Sequence, residues 1–301
     1  MAQWKESVFT TADSVHLTYY TKGSGTPMLI IPGGPGYAAS YLFSLADSLD
    51  KELAHHTKSP LHFTYIIPDL RGTGKSTIAP GDIDRKVNFD KVITDLEELK
   101  NKLGFEHWAV TGHSFGGLLA EYYAVTFPAS VDHMVLLSSP DPVSYGWSSN
   151  IEGNAQIRLT KKELAQLDKL QLLMAKGNKM DSLKLQYDMV MLPAYIFNRE
   201  QTNNVLAAMK TLAVNMQVFS KMAGDLFTKD KLIAAGLPKL KMPVLIMHGR
   251  MDPMGEGAAY ENQKLLPEAS LRLLGNTGHF CWIENSFATG LILYNFFMGR
   301  L

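Results

Sequence analysis

Through the first 140 residues, short unbroken apolar runs alternate with stretches whose apolar positions recur every three or four residues. VFTTADSVHLTYY gives two β-rich runs around a turn at Ala12-Asp13-Ser14, the pattern of an edge hairpin. PMLIIP (27–32) is short and apolar and closes on glycine and proline, as a strand buried on both faces should. SYLFSLADSLDKEL then has helical spacing, and FTYIIPDL (63–70) is a second buried strand. In FDKVITDLEELKNKLG, Val92, Leu96, Leu99 and Leu103 share one helical face, and Gly104 ends the helix. HWAVTGHS (107–114) returns to strand, GGLLAEYYAVTF to helix and VDHMVLLSSP to strand.

This β-α-β-α-β rhythm predicts a mostly parallel sheet with helices on both faces, an α/β fold. The rhythm breaks at about Ser139. From Asp141 to Leu237 the pattern is helical. Thr160-Lys-Lys-Glu163 forms a capping box for a helix reaching Gly177, and further helices cover Leu183 to Leu192 and Gln201 to Ala223. Strands resume at MPVLIMHG (242–249) and ASLRLLG, and the chain closes on the apolar helix FATGLILYNFFMG. The expected organisation is a core of residues 1–140 and 238–301 interrupted by a helical cap at 141–237.

Composition narrows the class of partner. Lys plus Arg and Asp plus Glu number 29 each, so no net field recruits nucleic acid or an acidic membrane. A small-molecule or short-peptide substrate is the expected partner. No apolar stretch approaches the roughly 20 residues needed to cross a bilayer. The start, MAQWKESVFTTADSV, lacks the charged head and apolar run of a signal peptide, and Cys281 is the lone cysteine. A cytoplasmic protein is expected.

Gly112-His113-Ser114-Phe115-Gly116 sits between a strand and a helix, the context that gives Gly-x-Ser-x-Gly its meaning. The glycines relieve crowding at a sharp turn, the serine stands above the sheet edge, and the helix points its amino end at the site. The competing reading is a helix-capping serine in a glycine-rich turn. A serine hydroxyl needs a base to take its proton and a carboxylate to orient that base. Asp252 follows one late strand and His279 the next, in the order acid then histidine. Asp225 falls in a helical stretch and His248 within a strand, and neither has that placement.

Acyl transfer also needs N–H donors for the carbonyl oxygen that becomes negative. Gly33-Gly34-Pro35-Gly36 can bring bare backbone close to a substrate, which makes Gly34 and Phe115 the expected donors, with Gly33 and Pro35 beside them. A dinucleotide reading of Gly34-x-Gly36-x-x-Ala39 fails because proline interrupts the glycines and no acidic residue ends a strand about 20 residues on. RGTGKST (71–77) is not a phosphate loop, because Asp69 stands where its first glycine belongs. Asp69 and Arg71 are expected to pair locally. His55, His56 and His62 read as a solvated loop without metal-ligand spacing. Neither metal nor cofactor is implied. Cys281 reads as a small buried apolar residue. The cap is rich in methionine (Met174, Met180, Met189, Met191, Met209, Met216, Met222), which packs helices and can also line an adaptable cavity.

PGGPG (32–36), DLRGTGKS (69–76), GHSFGG (112–117), GRMD (249–252) and GH (278–279) together resemble the proline iminopeptidase branch of the α/β hydrolases. The resemblance implies Ser114, Asp252 and His279 as a catalytic triad, Gly34 and Phe115 as oxyanion donors, and a helical cap over the substrate. Two features depart from it. Pro32 stands where the family usually has histidine, so the glycine loop must be anchored differently. Val218 stands where a family cap glutamate would hold a substrate amine, which leaves Glu152, Glu163, Glu200 and Asp225 as the acids of the insertion available in its place. The expected activity is cleavage of a small ester or amide through an acyl-enzyme, with release of amino-terminal proline as the alternative. A non-catalytic ligand-binding protein on the same fold is a third reading, and transfer of the acyl group to an acceptor other than water would use the same residues. Epoxide and haloalkane hydrolases use an aspartate nucleophile, which Ser114 disfavours.

Overall fold

A computed structural model describes residues 3–55, 61–143, 147–177, 180–209 and 213–301. Eight strands form one sheet: β1 (Lys5–Thr10), β2 (His16–Gly23), β3 (Thr26–Ile31), β4 (Phe63–Pro68), β5 (Trp108–His113), β6 (Val131–Leu137), β7 (Val244–Gly249) and β8 (Ser270–Leu274). Their order is β1-β2-β4-β3-β5-β6-β7-β8. β1 and β2 form the expected antiparallel hairpin and β2 joins β4 antiparallel, while every pair from β4 to β8 is parallel. β5 lies near the centre of the sheet and is buried along its whole length, so its carboxyl end is a fixed platform for the residues that follow.

The helices are α1 (Phe43–His55), α2 (Ile83–Lys86), α3 (Phe89–Lys102), α4 (Phe115–Thr126), α5 (Trp147–Gln156), α6 (Lys161–Met174) and α7 (Met180–Met191). After them come α8 (Thr202–Ala208), α9 (Met216–Gly236), α10 (Glu256–Leu265), α11 (Cys281–Glu284) and α12 (Ser286–Phe297). One sheet face packs on α3, α4, α9 and α10 through residues such as Val92, Leu118, Leu226 and Ala259. The other packs on α1, α11 and α12 through Leu45, Trp282 and Leu293. The alternation along the chain therefore produces helices on both faces.

Between β6 and β7 the described residues hold helices and no strand, apart from one isolated bridge between Val214 and Tyr37. The Thr160/Glu163 capping box is formed as the spacing predicts. The helical stretch expected over 201–223 forms two helices, α8 and α9. Asn215 starts the second, its side chain accepting from the Gln217 and Val218 N–H groups at 3.1 and 3.3 Å. This α9 runs on to Gly236 and packs on α3 and α4, where the position of a Gly236 Cβ would lie 2.3 Å from Val125 Cγ1. α10 escapes a periodicity reading because the residues it buries are two alanines, Ala258 and Ala259, and the polar Asn262.

Candidate active site

Ser114 follows the last residue of β5 and precedes the first of α4, with φ 54° and ψ −130°. A serine in that region is strained, and its neighbours explain how the turn is held. A Cβ on Gly112 would stand 2.3 Å from the Gly116 carbonyl oxygen, and one on Gly116 would stand 2.3 Å from that of Ile31. Only glycine lets β5, α4 and β3 approach so closely. The Ser114 N–H donates to the Leu137 carbonyl at 2.9 Å and its own carbonyl accepts from Gly117 at 2.8 Å, which fixes the elbow.

Asp252 and His279 arrive on neighbouring loops after β7 and β8. The loops lock together: Met251 N–H donates to the Thr277 carbonyl at 2.9 Å, and a Cβ on Gly249 would lie 2.1 Å from the Gly278 oxygen. His279 Nδ1 lies 2.7 Å from Asp252 Oδ2, and the other carboxylate oxygen accepts from Met254 N–H at 2.9 Å. Burial alone would raise the Asp252 pKa. The charge and hydrogen bond of His279 outweigh it and hold the carboxyl at about 2. A carboxylate only accepts, so the His279 ring places its proton on Nδ1 and leaves a lone pair on Nε2.

His113 belongs to the same structure. It is buried, with Nε2 3.2 Å from the His279 carbonyl oxygen and Nδ1 2.9 Å from Tyr41 Oη. The carbonyl can only accept, so Nε2 carries the hydrogen and Nδ1 accepts from the Tyr41 hydroxyl. Tyr41 in turn accepts the Gly33 N–H at 2.8 Å. Burial, and then the charge of nearby His279, holds the His113 pKa well below the usual histidine range. His248 also borders the acid, with Nε2 3.7 Å from Asp252 Oδ2.

The glycine loop is anchored at both ends. Tyr41 holds Gly33, and Asp69 accepts the Ala39 N–H at 2.8 Å and the Lys75 N–H at 2.9 Å. Between them the loop hydrogen-bonds to Ala213 and Asn215. Arg71 does not pair within its own segment. It reaches Asp95 on α3 and Asp13 in the first hairpin turn.

Ser114, Phe115, His279, Gly33, Gly34 and Pro35 all line one cavity of about 520 Å³. Among the described residues, neither the Gly34 nor the Phe115 backbone N–H has a hydrogen-bond partner, and the amino end of α4 adds its dipole at Phe115. Asp252 lies behind His279, out of the cavity. Val218 does not line it either: its side chain faces the core against Gly72, 2% exposed, while Phe219 beside it turns inward. Met189, Met191 and Met209 line the cavity, whereas Met222 packs in the core. Cys281 is buried, and burial pushes its thiol up to about 12. No group of three or more metal-ligating side chains occurs among the described residues, and His56 lies outside them. No helix is long and apolar enough to cross a membrane, again among the described residues.

Sequence reasoning passed over Tyr41, His113, Tyr37, Lys184 and Asp188. His113 was within reach, since the residue before an elbow serine must enter the sheet beside it. Tyr41 and the others meet the site only through tertiary packing.

Residues 26–286 match the family model for the alpha/beta hydrolase fold, and the chain belongs to that family. Within it the chain is similar over part of its length to proline iminopeptidases. It is 34% identical to a putative proline iminopeptidase of Mycoplasma genitalium over 144 residues, 47% of this chain. The chain spans less than half of that relative's length, 42%. Lipase 3 of a Moraxella species is 27% identical over 272 residues, covering 87% of this chain and 74% of the lipase. The crystal structure of VinJ superposes with a TM-score of 0.74 over 99% of both chains at 16% identity, a likeness of fold.

Proposed function

We propose that this protein is a serine hydrolase that cleaves a small ester or amide through an acyl-enzyme. The observation that carries the reading is the 2.7 Å His279–Asp252 contact behind a cavity that also holds Ser114 on its strained elbow. In the first step Ser114 Oγ attacks the substrate carbonyl carbon as its proton passes to His279 Nε2. The Gly34 and Phe115 N–H groups hold the oxygen that becomes negative. Collapse of the intermediate breaks the bond to the leaving group, which takes the proton from His279. Water then attacks the acyl-serine, giving its proton to the same nitrogen, and the acid leaves as Ser114 regains its hydrogen. Asp252 keeps the ring in the productive tautomer and stabilises its charged form.

The helices between β6 and β7 act as a cap whose inner face supplies Met189, Met191, Tyr195 and Phe219 to the cavity. Those apolar surfaces suit an uncharged acyl chain. Release of amino-terminal proline is the second reading, favoured by the names of the relatives matched over part of the chain. The test is hydrolysis of p-nitrophenyl acetate and butyrate beside proline p-nitroanilide, with Ser114→Ala as blank. Ester cleavage abolished in Ser114→Ala supports the proposal, and undiminished turnover in that variant refutes it.

A further inference from the structure

The cavity that holds Ser114 also carries a polar group that acyl transfer does not use. Lys184 and Asp188 lie one turn apart on α7 and form an ion pair, their side chains 16% and 21% exposed. Lys184 Nζ also donates to Tyr37 Oη at 3.0 Å, and the Tyr37 hydroxyl donates to the second Asp188 oxygen. The Tyr37, Tyr187 and Phe219 ring centroids lie 5.6, 5.8 and 5.3 Å from the same nitrogen. All five residues line the cavity.

A carboxylate, a hydroxyl and three aromatic rings converging on one point are the chemistry that recognises a primary ammonium. Here the point is taken by the chain's own Nζ. We propose that Lys184 is a built-in occupant of an ammonium cage, so that the cavity selects uncharged or oxygen-bearing acyl groups and rejects free amines. The inference rests on the serine-hydrolase reading and names its substrate class.

Three physical arguments support it. A second ammonium would find the Asp188 charge already neutralised, and entering a largely apolar cavity without an anionic partner is costly. A lysine ammonium has three donors, and Asp188 and Tyr37 take two, which leaves one N–H for a substrate oxygen. Tyr37 also packs on the proposed oxyanion glycine, since a Gly34 Cβ would lie 2.3 Å from Tyr37 Cδ2. The cage and the reacting end of the cavity thus share one loop. Glu152 is the other acid on the cavity wall, exposed and already accepting from Tyr187 and Gln171 at 3.0 and 3.3 Å.

The experiment compares the wild type with Lys184→Met and Lys184→Arg at pH 8. n-Butylammonium is titrated as an inhibitor of p-nitrophenyl butyrate hydrolysis, with n-butanol as the neutral control. Lys184→Met should be inhibited by the ammonium at concentrations at least about tenfold lower than the wild type, with butanol unchanged and Lys184→Arg as resistant as the wild type. Equal sensitivity of Lys184→Met and wild type overturns the proposal. So does a wild type that prefers alanine p-nitroanilide to the ester, since Glu152 would then be holding the amine. Calorimetric titration of butylammonium into Ser114→Ala and Ser114→Ala/Lys184→Met gives the same answer without turnover, so an inactive wild type would refute the hydrolase reading and leave Lys184 independently tested. Lys184→Gln replaces Lys184→Met should the latter lose its native circular dichroism.

Discussion

The Tyr41 hydroxyl stands between the Gly33 N–H, 2.8 Å away, and His113 Nδ1, 2.9 Å away, and so joins the glycine loop to the residue before Ser114. His113 passes the connection on to the His279 carbonyl. One directed chain of hydrogen bonds therefore sets the spacing of the proposed oxyanion donor, nucleophile and base.

Removing the middle of that chain should cost rate more than binding. Tyr41→Phe leaves two buried groups unpaired, a penalty of about 1–3 kcal/mol each in protein stability. It also releases the residue before Gly34. We expect kcat for p-nitrophenyl butyrate to fall about ten- to a hundredfold with KM within about threefold, since a single oxyanion donor carries roughly 10²–10³ in kcat. Steady-state kinetics with a urea titration checks both, and a change confined to KM would show that the chain does not position the reacting groups.

Glu284 braces the base from the other side. Its Oε1 accepts from Gly278 and Phe280 N–H at 3.0 and 3.3 Å, on either side of His279, and Oε2 accepts from Phe197 at 2.7 Å. Glu284→Ala should lower kcat about tenfold and reduce the melting temperature, because three backbone donors lose their acceptor. Glu284→Gln keeps one acceptor oxygen and should fall between the two in both measurements.

Glu121 gives the stability a pH dependence. It is fully buried on α4 and neither carboxyl oxygen has a partner among the described residues, so burial, with Asp141 adding to it, pushes its pKa well above the ordinary 4.5. A raised folded pKa means that folding takes up a proton. The contribution is complete below pH 4.5 and declines as pH rises toward the folded value. Glu121→Gln mimics the neutral acid at every pH. It should match the wild type near pH 4 and exceed it at pH 8 in urea midpoints; parallel curves across that range would contradict the assignment.

Arg71 ties the first hairpin to the sheet's helical layer. Its guanidinium reaches Asp95 at 2.6 Å, Asp13 at 2.9 Å and the Lys86 carbonyl at 2.6 Å, with the Arg71 and Asp95 side chains 2% and 4% exposed. Arg71→Met strands a buried carboxylate and should cost about 3–5 kcal/mol of stability, the scale for breaking a buried pair from one side. Denaturant unfolding measures it, and a loss under about 1 kcal/mol would show that solvent reaches the pair.

How far the sequence could be read follows from what each feature depends on. The strands and α3 were legible because their apolar spacing records burial directly, and PMLIIP and FTYIIP are buried as that pattern requires. The strand-end placement of Ser114, Asp252 and His279 was legible because it is a local property. The exact start of α9 at Asn215 was not, since it accompanies a bridge between Val214 and Tyr37, residues distant in sequence. Val218 looked like a cavity position by alignment, but the rotation of α9 turns it to the core and offers Phe219 instead. The Lys184–Asp188 pair reads in sequence as an ordinary solvent-facing i, i+4 pair. Only the packing of α7 over the glycine loop turns it inward.

The most direct test of the central claim is covalent labelling with diisopropyl fluorophosphate, with the adduct located by peptide mass spectrometry in the wild type and in His279→Ala. The account predicts a single adduct on Ser114 in the wild type, its formation slowed by about 10²-fold or more without the histidine. An unlabelled Ser114, or labelling indifferent to the loss of His279, would contradict it.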